Sequence, residues 1–440
     1  IPINVAVKTI SVTNITGNPI AGIAVSGGAS GTSTTAPFRA IYVSQGLATA
    51  NNNVIGSQSA TGSITYTSSS TSASDVIGIF NFGSSNWTTN GNTVGGITAA
   101  NSSTGAANIY GLRTNTGSAV TWTCTNNTIG GTVANSIQST STAAGTIVQG
   151  ILNSNPIGTF TGNIIRNLTA AGGTGTTTTA SVVGMVMNAT SANQTLSQNT
   201  IFNLSNTNAT AATIVTGIQF TGSTANVVER NLIYGLSTAT NSATAELNGI
   251  RVGGGTTIYR NNMIAIGAGT ANAIGTAATN SSTTGVNGIN EFLGTDSFFH
   301  NSVYIGGSPT AGTGPSFAFN GSQTTNTRSF RDNIFFNARS NSGATGKHYA
   351  VKINGTTPNP TGLTINNNLY FANGSGAAFG FFNSADVANL AAWRTAVGQD
   401  SGSFESNPQF IDPNNATPDL HLDPAVATVA EGNGVDVGVT

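Results

Sequence analysis

Apolar residues along this chain fall in short alternating runs bounded by Gly, Asn and Ser, the period-two pattern of β-strands. The most regular run is Asn, any residue, then Ile or Val. It occurs at Asn53, Asn92, Asn127, Asn163, Asn199, Asn231, Asn262 and Asn301, and loosens at Asn333 and Asn368. Successive spacings are 39, 35, 36, 36, 32, 31, 39, 32 and 35 residues, with a fainter earlier copy at Asn14-Ile15. A second run, Gly followed by Ile, Leu or Met, interleaves at Gly22, Gly78, Gly111, Gly150, Gly184, Gly217, Gly249 and Gly288. From Gly78 onward, the gap from this Gly to the next Asn is 13 to 16 residues, whereas the return from Asn92 onward takes 18 to 26. A third apolar stretch (Trp87, Phe160, Leu196, Tyr259 and Phe298 are examples) sits inside the shorter gap.

Three short strands per repeat of roughly 35 residues, repeated ten or eleven times, predict a parallel β-solenoid. One side of each coil has fixed length and the other absorbs insertions. Stacked strands lie about 4.8 Å apart, so the coils would extend roughly 50 Å. In Asn-x-Ile the Asn and the Ile share one face, so the asparagines should point inward at a bend. Stacked there, they would form a structural ladder of Asn53, Asn92, Asn127, Asn163, Asn199, Asn231, Asn262, Asn301, Asn333 and Asn368. The repeated Gly is expected where the chain bends tightly or two backbones approach.

These motifs resemble those of the right-handed parallel β-helix repeat proteins, the superfold shared with pectate lyases, over roughly residues 1–375. The handedness comes from that resemblance. Residues 376–440 read as a capping segment. Ser384 to Gly398 predicts an amphipathic helix at about 385–397, with Ser384 as N-cap, Asp386 near the positive end, Gly398 as the stop, and Val387, Leu390, Trp393 and Val397 on one face. The following Gly398-Gln399-Asp400-Ser401-Gly402-Ser403, Asn407-Pro408-Gln409-Phe410-Ile411-Asp412-Pro413 and Asp419-Leu420-His421-Leu422 are similar to the C-terminal segment of many secreted bacterial parallel β-helix repeat proteins. The resemblance implies a cap over a solenoid end, an extracellular or cell-surface location and a non-catalytic role. The family tail usually continues past such a segment, so that tail is missing or cleaved here. A start at Ile1 without Met or a charged-then-apolar signal region reads as a processed or excised piece.

Charge then narrows the function classes. Charged residues are 6% of 440, 13 basic against 14 acidic. A nucleic-acid binder needs a basic face, which 13 scattered cations do not supply. No apolar run approaches the length of a membrane helix. The single Cys124 alternates with Trp122 and Val120 and reads as a buried small hydrophobe. Pectate lyases pair a basic residue with acids that hold Ca²⁺, and related hydrolases use clustered Asp. Through residue 228 this chain offers one acid, Asp75, beside Lys8, Arg39, Arg113 and Arg166. Later candidates are Glu229, Glu246, Glu291, Asp296 and Asp332, near Arg251, Arg260, Arg328, Arg331 and His300. At about one repeat apart, Asp296 and Asp332 are candidates for neighbouring coils, as are Arg260 and His300. No cofactor is expected, with Ca²⁺ a candidate at the C-terminal segment, where residues 386–440 hold eight of the 14 acids. His300, His348 and His421 lack metal-ligand spacing.

The expectation is a non-catalytic extracellular structural protein: a surface stalk, adhesin segment or fibre subunit stacking end to end, or a solenoid continuing from neighbouring domains. Its alternative is a carbohydrate-binding or polysaccharide-degrading β-helix. The Ser/Thr/Ala/Gly-rich variable segments, such as Ala170 to Ala180, would form a ridge that binds glycan or a neighbouring copy.

Overall fold

The computed structural model describes residues 2–6, 12–117, 120–174, 180–188, 191–242, 244–267 and 285–438. Lys8, residues 175–179 of the Thr-rich ridge and the final Val439-Thr440 lie outside them. The chain is an all-β parallel solenoid of about 11 turns, with three parallel sheets, three strands per coil and one short helix near its C-terminus, consistent with a right-handed β-helix. Residue contacts divide it between Ser223 and Thr224, within the repeats.

In the first unit, wall one is built from Phe38–Gln45, Ser74–Asn81, Ala107–Thr114, Val148–Asn153, Val182–Met187 and Ile214–Phe220, each parallel to the next. Wall two carries Ala48–Asn51, Trp87–Asn90, Thr121–Thr125, Ile157–Thr161 and Thr195–Ser197. Wall three opens immediately after each ladder Asn, as in Val54–Ile55, Thr93–Val94 and Thr128–Ile129. The repeated Gly lies within wall one. A Cβ on Gly150 would sit 2.6 Å from Ile165 Cγ2 and 2.5 Å from the Gly184 carbonyl, and Gly78, Gly111 and Gly184 are equally confined. The Gly of one motif thus makes room for the Ile or Val of the other. Gly22 departs from this: its φ is +68° and nothing approaches it, so it is a turn residue outside the column.

Wall one is buried on both faces. Its outward residues Ile77, Phe80, Tyr110, Leu152, Val183 and Val186 form a cluster with Ala36, Ile147 and Ala180, which precede wall-one strands. The variable turns therefore fold over the wall. Inside, wall two stacks aromatics, with Trp87 and Trp122 at 5.2 Å and Trp122 edge-on to Phe160 at 4.9 Å. Cys124 is fully buried there, and burial pushes its thiol up to about 12, which makes it an inert packing group.

The second unit repeats the plan. Wall two is Asn226–Glu229, Thr257–Arg260, Ser297–Phe299, Arg328–Arg331 and Leu363–Asn366. Wall three runs from Leu232–Thr238 through Met263–Ile266, Ser302–Ile305, Ile334–Asn337 and Leu369–Ala372 to Phe404–Glu405. Wall one runs from Glu246–Gly253 through Val286–Leu293, Ser316–Gly321 and His348–Ile353 to Ala377–Phe382. There the parallel series stops, because Ala385–Val387 turns back antiparallel to Ala377–Phe382.

The helix α1 spans Leu390–Val397, shorter than the expected 385–397. Asn389, not Ser384, is its N-cap and accepts from Ala392 N at 2.9 Å. Ser384 stands at φ +67° in the turn before the antiparallel strand, so residues that fit a helical face serve the strand instead. Gly398 ends the helix at φ +75°. Leu390, Trp393 and Val397 are buried, with Trp393 against Phe379, Phe382 and Tyr370. Trp393 Nε1, Tyr370 Oη and Ser403 Oγ all donate to the buried Asp400 carboxylate, the first two at 2.8 and 2.7 Å. Burial raises the Asp400 pKa, against those donors and Arg394. Among the described residues no helix is long and apolar enough to cross a membrane.

Candidate functional site

At the corner between walls two and three each ladder Asn is buried, and its hydrogen bonds run from coil to coil. Asn163 Nδ2 donates to Asn199 Oδ1 at 2.9 Å and to the Cys124 carbonyl at 2.9 Å. Its Oδ1 accepts from the Asn127 backbone N–H and Nδ2, both at 3.0 Å. The same pattern links Asn53, Asn92 and Asn127 in the first unit, and Asn231, Asn262, Asn301, Asn333 and Asn368 in the second. Sequence reasoning missed both continuations. Asn18, in Asn18-Pro19-Ile20, donates to Asn53 Oδ1 at 2.8 Å, whereas Asn14 lies on the exposed face of wall two. At the other end, the Asn368 N–H meets Ser403 Oγ at 2.8 Å.

Asp296 and Asp332 lie on neighbouring coils, as their spacing suggested, but not side by side. Asp296 precedes Ser297–Phe299 and Asp332 follows the next coil's Arg328–Arg331, so they stand at opposite ends of paired strands. Asp296 faces Glu291, both almost fully buried, and no carboxylate oxygen of either meets a hydrogen-bond partner among the described residues. Burial, then the Glu291 charge, pushes Asp296 up to about 9; Thr257, close by without hydrogen-bond geometry, opposes the rise. Burial pushes Glu291 up to about 7, opposed by Arg328. The Arg328 guanidinium is committed to the carbonyls of Asn326 and Asn354 at 2.9 and 2.8 Å. Arg260 pairs with Glu229 at 2.7 Å and not with His300.

The C-terminal acids are dispersed. Asp386 takes Lys347 and Tyr349, Asp400 lies inside the cap, Glu405 accepts from Leu390 N, and Asp419 accepts from His421. Among the described residues no three His, Cys, Asp or Glu side chains are grouped as metal ligands.

Two surfaces in the second unit remain open to chemistry. On the outward face of wall one, Arg251, Asn290, Asn320 and Lys352 occupy successive coils. Beside them, Asn320 Nδ2 donates to Asn287 Oδ1 at 2.9 Å, and Asn287 and Asn290 donate to Asn248 Oδ1 at 3.0 and 2.9 Å. Arg251 is 4% exposed and Asn320 8%, yet Arg251 Nε and Asn320 Oδ1 have no partner among the described residues. Phe292, 42% exposed, lies under the Arg251 guanidinium at 5.3 Å.

The other surface follows the ladder corner. The residue before each ladder Asn is left-handed: Asn52, Gly91, Asn126, Gly162 and Gln198 in the first unit, and Arg230, Asn261, His300, Asp332 and Asn367 in the second, with φ between +53° and +66°. Over this corner and wall three runs the C-terminal tail, enclosing a cleft of about 300 Å³ lined by Met263, His300, Ile334, Leu369, Leu420 and Val429. Asp332 Oδ1 accepts from Val435 N at 3.1 Å, Asn367 Nδ2 donates to the Asn433 carbonyl at 3.3 Å, and Tyr304 Oη to Asn414 Oδ1 at 3.1 Å. Burial raises the Asp332 pKa, against Val435 N–H, His300 and Arg331. The repeat spacing offered a signal for this column, since its members sit one place before each Asn motif. Compared with known proteins, the chain matches no family model, no curated protein and no solved structure.

Proposed function

We propose that this chain is a non-catalytic structural solenoid, a stalk or adhesin segment acting outside the cell. The observation that carries the reading is the amide ladder, which commits one corner of coil after coil to holding the next coil in register. Between a stalk and a fibre stacked end to end, the C-terminal closure favours the stalk. The antiparallel Ala385–Val387 ends the parallel series of wall one, and Trp393 covers the last coil's core, so another copy would not find the coil continued there. Electron microscopy of the purified protein with a cell- or surface-attachment assay tests this. Discrete particles that attach are expected. Long filaments would make assembly the function, unsaturated product from uronate polymers would remove the non-catalytic reading, and particles that attach to nothing would leave it unsupported.

A second reading, glycan binding, rests on the outward face of wall one in the second unit. Arg251, the acceptor Asn320 Oδ1 and the exposed Phe292 ring together offer the donors, acceptor and apolar platform that a sugar engages. Glycan-array binding lost in Arg251→Ala would favour it; an array without hits would remove it.

A further inference from the structure

The corner column changes character between the two units. In the first it is Asn, Gly, Asn, Gly and Gln, mostly residue types that tolerate a left-handed backbone. In the second the same conformation is imposed on Arg230, at φ +54°, while His300 and Asp332 there are types that adopt it more readily. Arginine gains nothing from that conformation, and a left-handed non-glycine residue costs about 1–2 kcal/mol. Arg230 and His300 are exposed, and the ion pair beside Arg230 joins Glu229 to Arg260 and, among the described residues, leaves Arg230 out. Around them lies a hollow of about 390 Å³, floored by Leu232, Met263 and Ser302 and edged by Asn261 and His421. A strained arginine facing a hollow points to use of its side chain.

The column also shows what it recognises. Where the tail crosses it, Asp332 accepts a backbone N–H and Asn367 donates to a backbone carbonyl, the two polar groups of an extended peptide. The tail passes from Asn367 to the preceding coil's Asp332 as it advances from Asn433 to Val435, and the hollow continues that line toward His300, Asn261 and Arg230. Asn261 offers an amide donor and acceptor, and Arg230 a guanidinium suited to a carboxylate.

We propose that the corner groove from His300 to Arg230 binds an extended acidic polypeptide segment of a partner protein, held by main-chain hydrogen bonds and by Arg230 on its carboxylates. The test uses the full chain and a dye-labelled decapeptide of alternating Glu and Thr, read by fluorescence anisotropy at low salt. Saturable binding is expected, weakened at least fivefold by Arg230→Gly and by His300→Asn, and falling as salt rises. Arg230→Gly should melt at the wild-type temperature or above, because glycine relieves the left-handed backbone. No binding by the wild type, binding that both variants leave within twofold, or a lowered melting temperature in Arg230→Gly would each overturn the proposal. Preferential binding of polygalacturonate over the peptide, abolished by Arg230→Gly, would overturn it too and assign the groove to an anionic polysaccharide.

Discussion

Asn163 illustrates why one residue type recurs at every corner. Its carbonyl oxygen takes two donors from Asn127, and its NH₂ reaches a wall-two carbonyl in one coil and an amide oxygen in the next. Asp would lose the donors, Ser lacks the reach for both directions, and Leu would leave three buried polar groups stranded. Asn163→Ala should therefore cost about 2–5 kcal/mol, since the Asn127 N–H, its NH₂ and the Cys124 carbonyl lose partners at about 1–3 kcal/mol each and partly recover. Asn14→Ala, which removes an exposed contact to Thr49, should stay within about 0.5 kcal/mol. Urea denaturation of both variants checks the contrast, and equal effects would mean that the ladder does not hold the coils.

At the scale of the elements, the interlock of the two motifs is steric. A methyl on Gly150 would press on Ile165 and on the Gly184 carbonyl, so Gly150→Ala should destabilise by about 1–3 kcal/mol. Ile165→Val in the same chain should not rescue it, because valine keeps the Cγ2 methyl that the new side chain meets and the carbonyl clash remains; calorimetry of single and double variants measures this. Much of this architecture was legible, because Asn-x-Ile and Gly-Ile are rigidly spaced and each residue's inward direction follows from strand alternation. The cap was less so. Leu390, Trp393 and Val397 read as one helical face, but a helix and a short antiparallel strand share the stretch, and local propensity does not show where one yields to the other. Trp393→Ala, which empties the space between Phe379, Phe382 and Tyr370, should cost about 3–5 kcal/mol by denaturation. The acid pair was illegible for a different reason. Glu291 and Asp296 meet across a corner within one coil, whereas repeat spacing relates residues of neighbouring coils, such as Asp296 and Asp332.

Across the whole molecule the two units differ most in what they can titrate. The first holds one carboxylate, Asp75, and no histidine; the second holds the other 13 acids and all three histidines. Buried groups in the second unit are shifted in both directions. Glu291 and Asp296, raised from the ordinary 4.5 and 3.8 to about 7 and about 9, stabilise the fold fully below those ordinary values. Their contribution falls as pH climbs and is gone once it passes about 7 for the first and about 9 for the second. His348 works the other way. It is buried between Ser316 and Asn341, and burial, with Arg339 nearby, lowers it to about 4, so its contribution is present above 6.5 and is lost as pH falls toward 4. The second unit should thus loosen at both ends of this range while the first changes little. Hydrogen exchange, corrected for the intrinsic pH dependence of amide exchange, should show protection of Val286–Leu293 and Ser297–Phe299 declining from pH 6 to 9.5, with Ser74–Asn81 and Ala107–Thr114 steady. Asp296→Asn should abolish the decline above about pH 7, because an amide at that position has no proton to lose, and should leave in place the part below it that Glu291 sets, as well as the acid limb. If both units lose protection together in the wild type, or if Asp296→Asn keeps the slope above about pH 7, the buried pair is not what ties the second unit's stability to pH.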